Sequence, residues 1–137
     1  MAMNIDPLAS LAARVLAGVP ADATPFSSGG AAAVNTGAAA ISLKAAVTGK
    51  RHWITQWTVV NKTAGEYPVA ELTEDPAGTP VIKAWAAPFA PGGAAGMGNI
   101  TLNFDPPIEI TAGKAIGYQL QTATGDCYST VQGFVES

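Results

Sequence analysis

The sequence predicts an all-β fold: an antiparallel β-sandwich or jelly roll of seven to eight strands, preceded by a short N-terminal helix and an extended arm. Two observations carry that reading. From about Ala39 onward, short runs rich in Val, Ile, Thr and aromatic residues are separated by turn clusters such as "TGK", "DPAGTP" and "TAGK". Within the runs apolar and polar residues alternate, as in "NITLNF", and no helical stretch lies between them, which excludes a βα architecture. The chain therefore divides into residues 1–38, helix and arm, and residues 39–137, the sandwich.

The first segment, "MAMNIDPLASLAARVLAGVP", supplies the helix. Asp6 can cap it with Pro7 in its first position, and Gly18 and Pro20 can end it. Leu8, Leu11, Val15 and Leu16 fall on one face. A helix of about ten residues is too short to be stable alone in water, so that face needs a partner surface. Next comes "VPADATPFSSGGAAAVNTGAAA", a small-residue stretch without a sustained period, which suits an arm or linker. On a free linker Phe26 and Val34 would be exposed, which favours an arm lying on another surface.

Strands are expected near 39–47, 51–61, 67–74, 81–87, 99–104, 114–122 and 127–135. In "NITLNF" the residues Ile100, Leu102 and Phe104 face one way, and Asn99, Thr101 and Asn103 the other. "AIGYQLQT" repeats the pattern, with Ile116, Tyr118 and Leu120 opposite Gln119 and Gln121. "PIEI" adds a short edge, because Pro106 and Pro107 interrupt continuous pairing. On the 51–61 strand, Trp53, Trp57 and Val59 share one face, and His52, Ile54 and Val60 the other. Both faces carry apolar residues, as in a packed sandwich or an interface between copies.

Hydrophobic residues make up 48% of the 137, yet only 12% are charged, about half the ~25% usual in globular domains. So little charge on an apolar chain points to a surface partly covered by other protein. Ten acidic residues against seven basic leave a net charge of −3, which speaks against a nucleic-acid partner. No apolar run approaches ~18 residues, so no membrane span is expected. The N-terminal segment lacks the basic start of a signal peptide. Cys127 is the single cysteine, which rules out a disulfide within the chain and a cysteine-based zinc site.

"GKRHWITQWTVVNKT" gathers the only histidine, two of the three tryptophans and a Lys-Arg pair. His52 has no second histidine or carboxylate pair near it in sequence, and reads as a structural or interface residue. No G-x-S-x-G turn is present to carry a serine nucleophile. Cys127 opens an apolar strand and reads as a buried, inert thiol. Glu66, Glu71, Glu74 and Asp75 cluster in "EYPVAELTED" but lack the spaced ligands of a calcium loop. They read as a solvated outer face, with Glu71 and Thr73 outward and Ala70 and Leu72 inward. Asn-x-Thr matches at Asn61 and Asn99 are short enough to be chance. No catalytic constellation, metal site or cofactor is expected, and the chain reads as a non-enzyme.

Three landmarks, "KAAVTGKRHWITQWTVVN", "AGTPVIKAW" and the closing "YSTVQGFVES", together resemble small β-sandwich virion proteins of tailed phages and prophages. The likeness is greatest to capsid decoration (cement) proteins and covers about residues 41–137. It implies a structural protein made in the host cytoplasm, bound to the outside of the capsid and stabilising it through contacts between subunits. The implied partners are the major capsid protein and further copies of the chain, a trimer being favoured. The helix, the arm and the long "APFAPGGAAGMGN" loop are additions to the resembling pattern and candidates for those contacts. They bring Leu8, Leu11, Val15, Leu16, Phe26 and Met97. Lys50 and Arg51 join them, on a turn expected to face acidic groups of a neighbouring subunit. The alternative is a carbohydrate- or receptor-binding module of a tail or head fibre, for which an exposed Trp85 or Tyr128 would speak.

Overall fold

A computed structural model describes residues 18–62, 68–88, 98–121 and 126–137, with residues 31 and 32 as backbone only. The strands are β1 (Thr24–Asn35), β2 (Ile41–Lys44), β3 (His52–Asn61), β4 (Ala70–Glu74), β5 (Val81–Ala86), β6 (Gly98–Ile110), β7 (Ile116–Leu120) and β8 (Cys127–Val135). They form two four-stranded antiparallel sheets, ordered β1-β8-β3-β6 and β2-β7-β4-β5. None of the described residues is helical; the helix expected before Gly18 lies outside them.

The two sheets share one core. Ile54, Trp57 and Val59 of β3 and Val131 of β8 meet Leu72 of β4 and Ile116, Tyr118 and Leu120 of β7. All eight are fully buried. Polar groups on this inner side are matched across the layers. Tyr118 Oη lies 2.6 Å from the Ala33 carbonyl and 2.8 Å from that of Cys127, so one hydroxyl ties β7 to both β1 and β8. Asn35 returns the link, its Nδ2 donating to the Tyr118 carbonyl at 3.1 Å. In so dry a place these bonds satisfy groups that would otherwise be expensive to bury.

Residues 24–35, expected as an arm outside the sandwich, are its first strand. β1 pairs with β8 from Thr24 opposite Val135 to Asn35 opposite Cys127, so the sandwich begins at Thr24 rather than near Ala39. The pairing uses backbone groups, which a run of Gly, Ala and Ser supplies as well as any other. Such a run has no side-chain alternation to announce a strand. Gly29 and Gly30, at φ of 107° and 105°, lead into a register shift before Val34 that only glycine takes without strain.

A second correction concerns β3. Its register shifts between Ile54 and Gln56 against both neighbours, which leaves Thr55 as an extra residue. One extra residue reverses the face parity beyond it. Trp57 and Val59 therefore share the core with Ile54, while Trp53 turns to the opposite face and packs on Val19, Ala23 and Phe134. The shared face expected for Trp53 and Trp57 does not exist. On the β6 side the excess is residues 104–107, since Asn103 pairs with Gln56 and Ile108 with Ile54. The prolines do interrupt pairing there, although a single strand spans Gly98–Ile110.

Candidate functional site

Of the residues expected to touch partners, Leu8, Leu11, Val15, Leu16 and Met97 lie outside the described residues. Phe26 is half-buried against its own chain. It packs against the core, edge-on to the His52 ring with centroids 5.5 Å apart, and Lys44 Nζ stands 5.3 Å from its centre. Arg51 has acidic partners within its own chain, and its side chain stays 38% exposed. Its guanidinium reaches Glu109 and Glu136, each at 3.2 Å, and lies 5.1 Å from the Trp53 ring. Its backbone N–H also donates to Glu136 Oε2 at 3.0 Å. The side-chain bond from Arg51, then the backbone one, holds the Glu136 carboxyl below its ordinary range. β3, β6 and β8 run side by side, so their ends deliver the three charges to one corner. Lys50 anchors the adjoining turn through its backbone, donating to the Val47 carbonyl and accepting from Gly113.

His52 is fully buried, and neither ring nitrogen has a hydrogen-bond partner. Burial, and after it the charge of Lys44, pushes its pKa below 6.5, so the ring is neutral at neutral pH. Cys127 is buried too, and burial, with Asp126 adding to it, pushes its thiol up to about 11. A thiol so placed is a poor nucleophile. Among the described residues no group of three or more His, Cys, Asp or Glu could hold a metal ion. Asn61 is wholly buried, which makes its Asn-x-Thr match unusable in the folded chain.

The acidic run on β4 is not the solvated face expected. Glu71 does point outward, but three neighbours close over it and leave 7% exposed. Register sets them in a row: Trp85 of β5 lies directly opposite on one side and Gln119 of β7 on the other. Trp85 Nε1–H donates to Glu71 Oε2 at 3.0 Å, and Gln121 Nε2 to the same oxygen at 3.3 Å. Gln119 Nε2 donates to Oε1 at 2.8 Å. Burial alone would raise the Glu71 pKa; the donors Gln119, Gln121 and Trp85 together outweigh it and hold the carboxyl below its ordinary range. The Trp85 ring itself is 57% exposed. The result is an aromatic plate fixed by its N–H beside a row of carboxylate and amide oxygens. Sequence gave the outward parity of Glu71 and Gln119. It did not join them to Trp85, because that needs the cross-strand register of the β4–β5 hairpin and the pairing of β4 with the distant β7. Glu74, also 7% exposed, accepts from the Thr111 N–H and Oγ1 and lies 3.7 Å from Lys83 Nζ.

The outer face of the other sheet differs in kind. β3 presents Gln56, Thr58 and Val60, β6 presents Asn99, Thr101 and Asn103, and β8 presents Tyr128, Thr130 and Gln132. None is charged. Gln56 Nε2 bonds Asn103 Oδ1 at 2.9 Å, the Thr58 and Thr101 hydroxyls meet at 2.9 Å, and Thr55 Oγ1 donates to the Gln132 carbonyl at 3.2 Å. This arrangement offers many weak donors and acceptors and no ion to desolvate. Comparison with protein-family models and with curated proteins finds no match to this chain.

Proposed function

We propose that the chain is a structural jelly-roll protein of a tailed-phage particle, a decoration protein that binds the outside of the capsid and stabilises it through contacts between subunits. Support comes first from the sequence landmarks that resemble such proteins. The strand order agrees: β1-β8-β3-β6 facing β2-β7-β4-β5 is how eight antiparallel strands lie when wound as two Greek keys, the jelly roll used by viral capsid proteins and by lectins. Fold alone names no function, however.

The observation that carries the reading is an uncharged stretch on the outer face of the β1-β8-β3-β6 sheet, from Gln56, Thr58 and Val60 across to Thr101, Asn103, Thr130 and Gln132. Moving an unpaired charge out of water into an interface is strongly unfavourable, whereas hydroxyls and amides exchange one hydrogen bond for another at small net change. Interface centres are depleted in charge for that reason. A contact of ordinary size covers about 800 Å² on each partner, an extent a four-stranded sheet can supply. The partners in this reading are the major capsid protein and further copies of the chain, with a trimer favoured by the resemblance.

Thr101→Lys with Gln132→Lys tests it by placing two charges on exposed positions of that face. Such surface changes shift stability by only about 0.5 kcal/mol. The variant is expected to melt like the parent yet to remain in the supernatant when capsid shells are sedimented. Undiminished co-sedimentation would remove the face from the contact. A second reading, a carbohydrate-binding module, is favoured by one observation, the exposed Trp85 ring pinned beside Glu71.

A further inference from the structure

We propose that the outer face of the β2-β7-β4-β5 sheet binds a neutral pyranose unit of a glycan, with Trp85 as stacking platform and Glu71, Gln119 and Gln121 as the hydrogen-bonding edge. The site lies on the sheet opposite the face assigned to the shell, so its failure would leave that assignment standing.

Trp85 is the most exposed of the large hydrophobic residues described, and it sits within a strand, one residue from its end, rather than on a loop. Its single donor is committed to Glu71 at 3.0 Å, which fixes the orientation of the ring before any ligand arrives. A preset aromatic face loses little freedom on binding, and its negative π-cloud suits the C–H face of a sugar ring. Trp53 and Trp57, by contrast, are fully buried and offer no such surface.

The polar edge is matched to hydroxyl groups. A carboxylate has about four acceptor positions, and three on Glu71 are filled by Trp85, Gln119 and Gln121. Each glutamine that turns its amide N–H toward Glu71 turns its carbonyl oxygen away from it. Beside the ring there is therefore a row of acceptors, complementary to a ligand rich in O–H donors. The same row carries a full negative charge, so uronic acids, sialic acids and phosphosugars are repelled. Because the platform is flat, one site is expected to bind with Kd about millimolar. Several copies held on one particle would raise the apparent affinity by about 10²–10⁴ through avidity.

The test is a titration of the full chain with the methyl glycosides of glucose, galactose, mannose and N-acetylglucosamine, and with methyl glucuronide as the charged counterpart. The readout is the tryptophan indole N–H signals in nitrogen-15 NMR, with buried Trp53 and Trp57 as internal controls. A saturable shift of Trp85 alone is expected with at least one neutral glycoside and not with the glucuronide. Trp85→Ala should abolish the saturation-transfer signal of the bound sugar. Gln121→Ala, an exposed change that leaves the fold intact, should weaken binding about ten-fold. Three results would overturn the proposal: no response to any neutral glycoside, equal binding of the glucuronide, or sugar binding that survives Trp85→Ala.

Discussion

Trp57 fills the middle of the shared core, and its Nε1–H donates to the buried Ser129 Oγ at 2.5 Å. Trp57→Ala would open a cavity and strand that hydroxyl, at a cost of about 3–5 kcal/mol, a large share of a small domain's stability. The urea midpoint should fall accordingly with an unchanged slope. His52 supplies a pH signature. Its pKa in the fold lies below 6.5, so the unfolded chain binds the proton more readily than the folded one. Stability from this group is complete above 6.5 and is lost as the pH falls through 6.5 toward the lower folded value. The carboxyls of Glu71 and Glu136, held below 4.5 in the fold, add stability that is complete above 4.5 and is lost only at more acid pH. Melting temperature should therefore decline from neutral pH into the mildly acid range, and His52→Phe should flatten the decline. An unflattened curve would show that another group titrates there. The burial of Trp57 and Cys127 was legible in the sequence, because each sits in or opens an apolar run; that of His52, which read as a structural or interface residue, was not. Nor was it legible that neither nitrogen of His52 would find a partner, since partners arrive from other strands.

β1 shows where reading by pattern fails and why. "NITLNF" and "AIGYQL" announce themselves because each buries one face against a core, and their expected parity holds in β6 and β7. β1 buries little beyond Phe26 and is held by its backbone ladder to β8, which leaves no periodic trace. The bulge at Thr55 is equally silent: nothing in "RHWITQWTVV" marks an extra residue, yet it decides which tryptophan enters the core. These assignments make distinct expectations. Deleting residues 1–17 leaves every described strand in place, and circular dichroism should still report a cooperative β-fold. Deleting residues 1–36 removes β1, exposes the edge of β8 and uncovers His52, so that truncation should unfold or aggregate. A stable, monomeric product from the longer deletion would show that β1 is dispensable. Where β8 passes β3, a Cβ on Gly133 would collide with the Trp53 carbonyl oxygen, and neither backbone can yield without breaking the ladder. Gly133→Ala should cost at least the ~1–3 kcal/mol typical of overpacking, read from the same urea titration.

On the outer face of the β1-β8-β3-β6 sheet Arg51 and Glu109 stand at one end, around Trp53, and the stretch of Gln56, Thr58, Thr101, Asn103, Thr130 and Gln132 carries no charge. Arg51, Glu109 and Glu136 close one corner, Lys83 pairs with Glu74, and Lys114 with Asp75 at 3.1 Å. A contact made through that uncharged stretch should therefore tolerate salt. Raising ionic strength from about 0.1 M to 1 M shortens the screening length from ~10 Å to ~3 Å, enough to dissolve a contact built on surface ion pairs. Particle-bound protein should stay bound over that range; release would return the contact to lysines and arginines. The two faces divide the labour in this account, one laid on the shell and one turned outward with Trp85. The most direct measurement is an electron cryomicroscopy reconstruction of capsid shells incubated with the purified chain. The expected result is ordered density with the β1-β8-β3-β6 sheet against the shell and the Trp85 plate facing solvent. Shells that remain bare, or copies seated with the β2-β7-β4-β5 sheet inward, would contradict it.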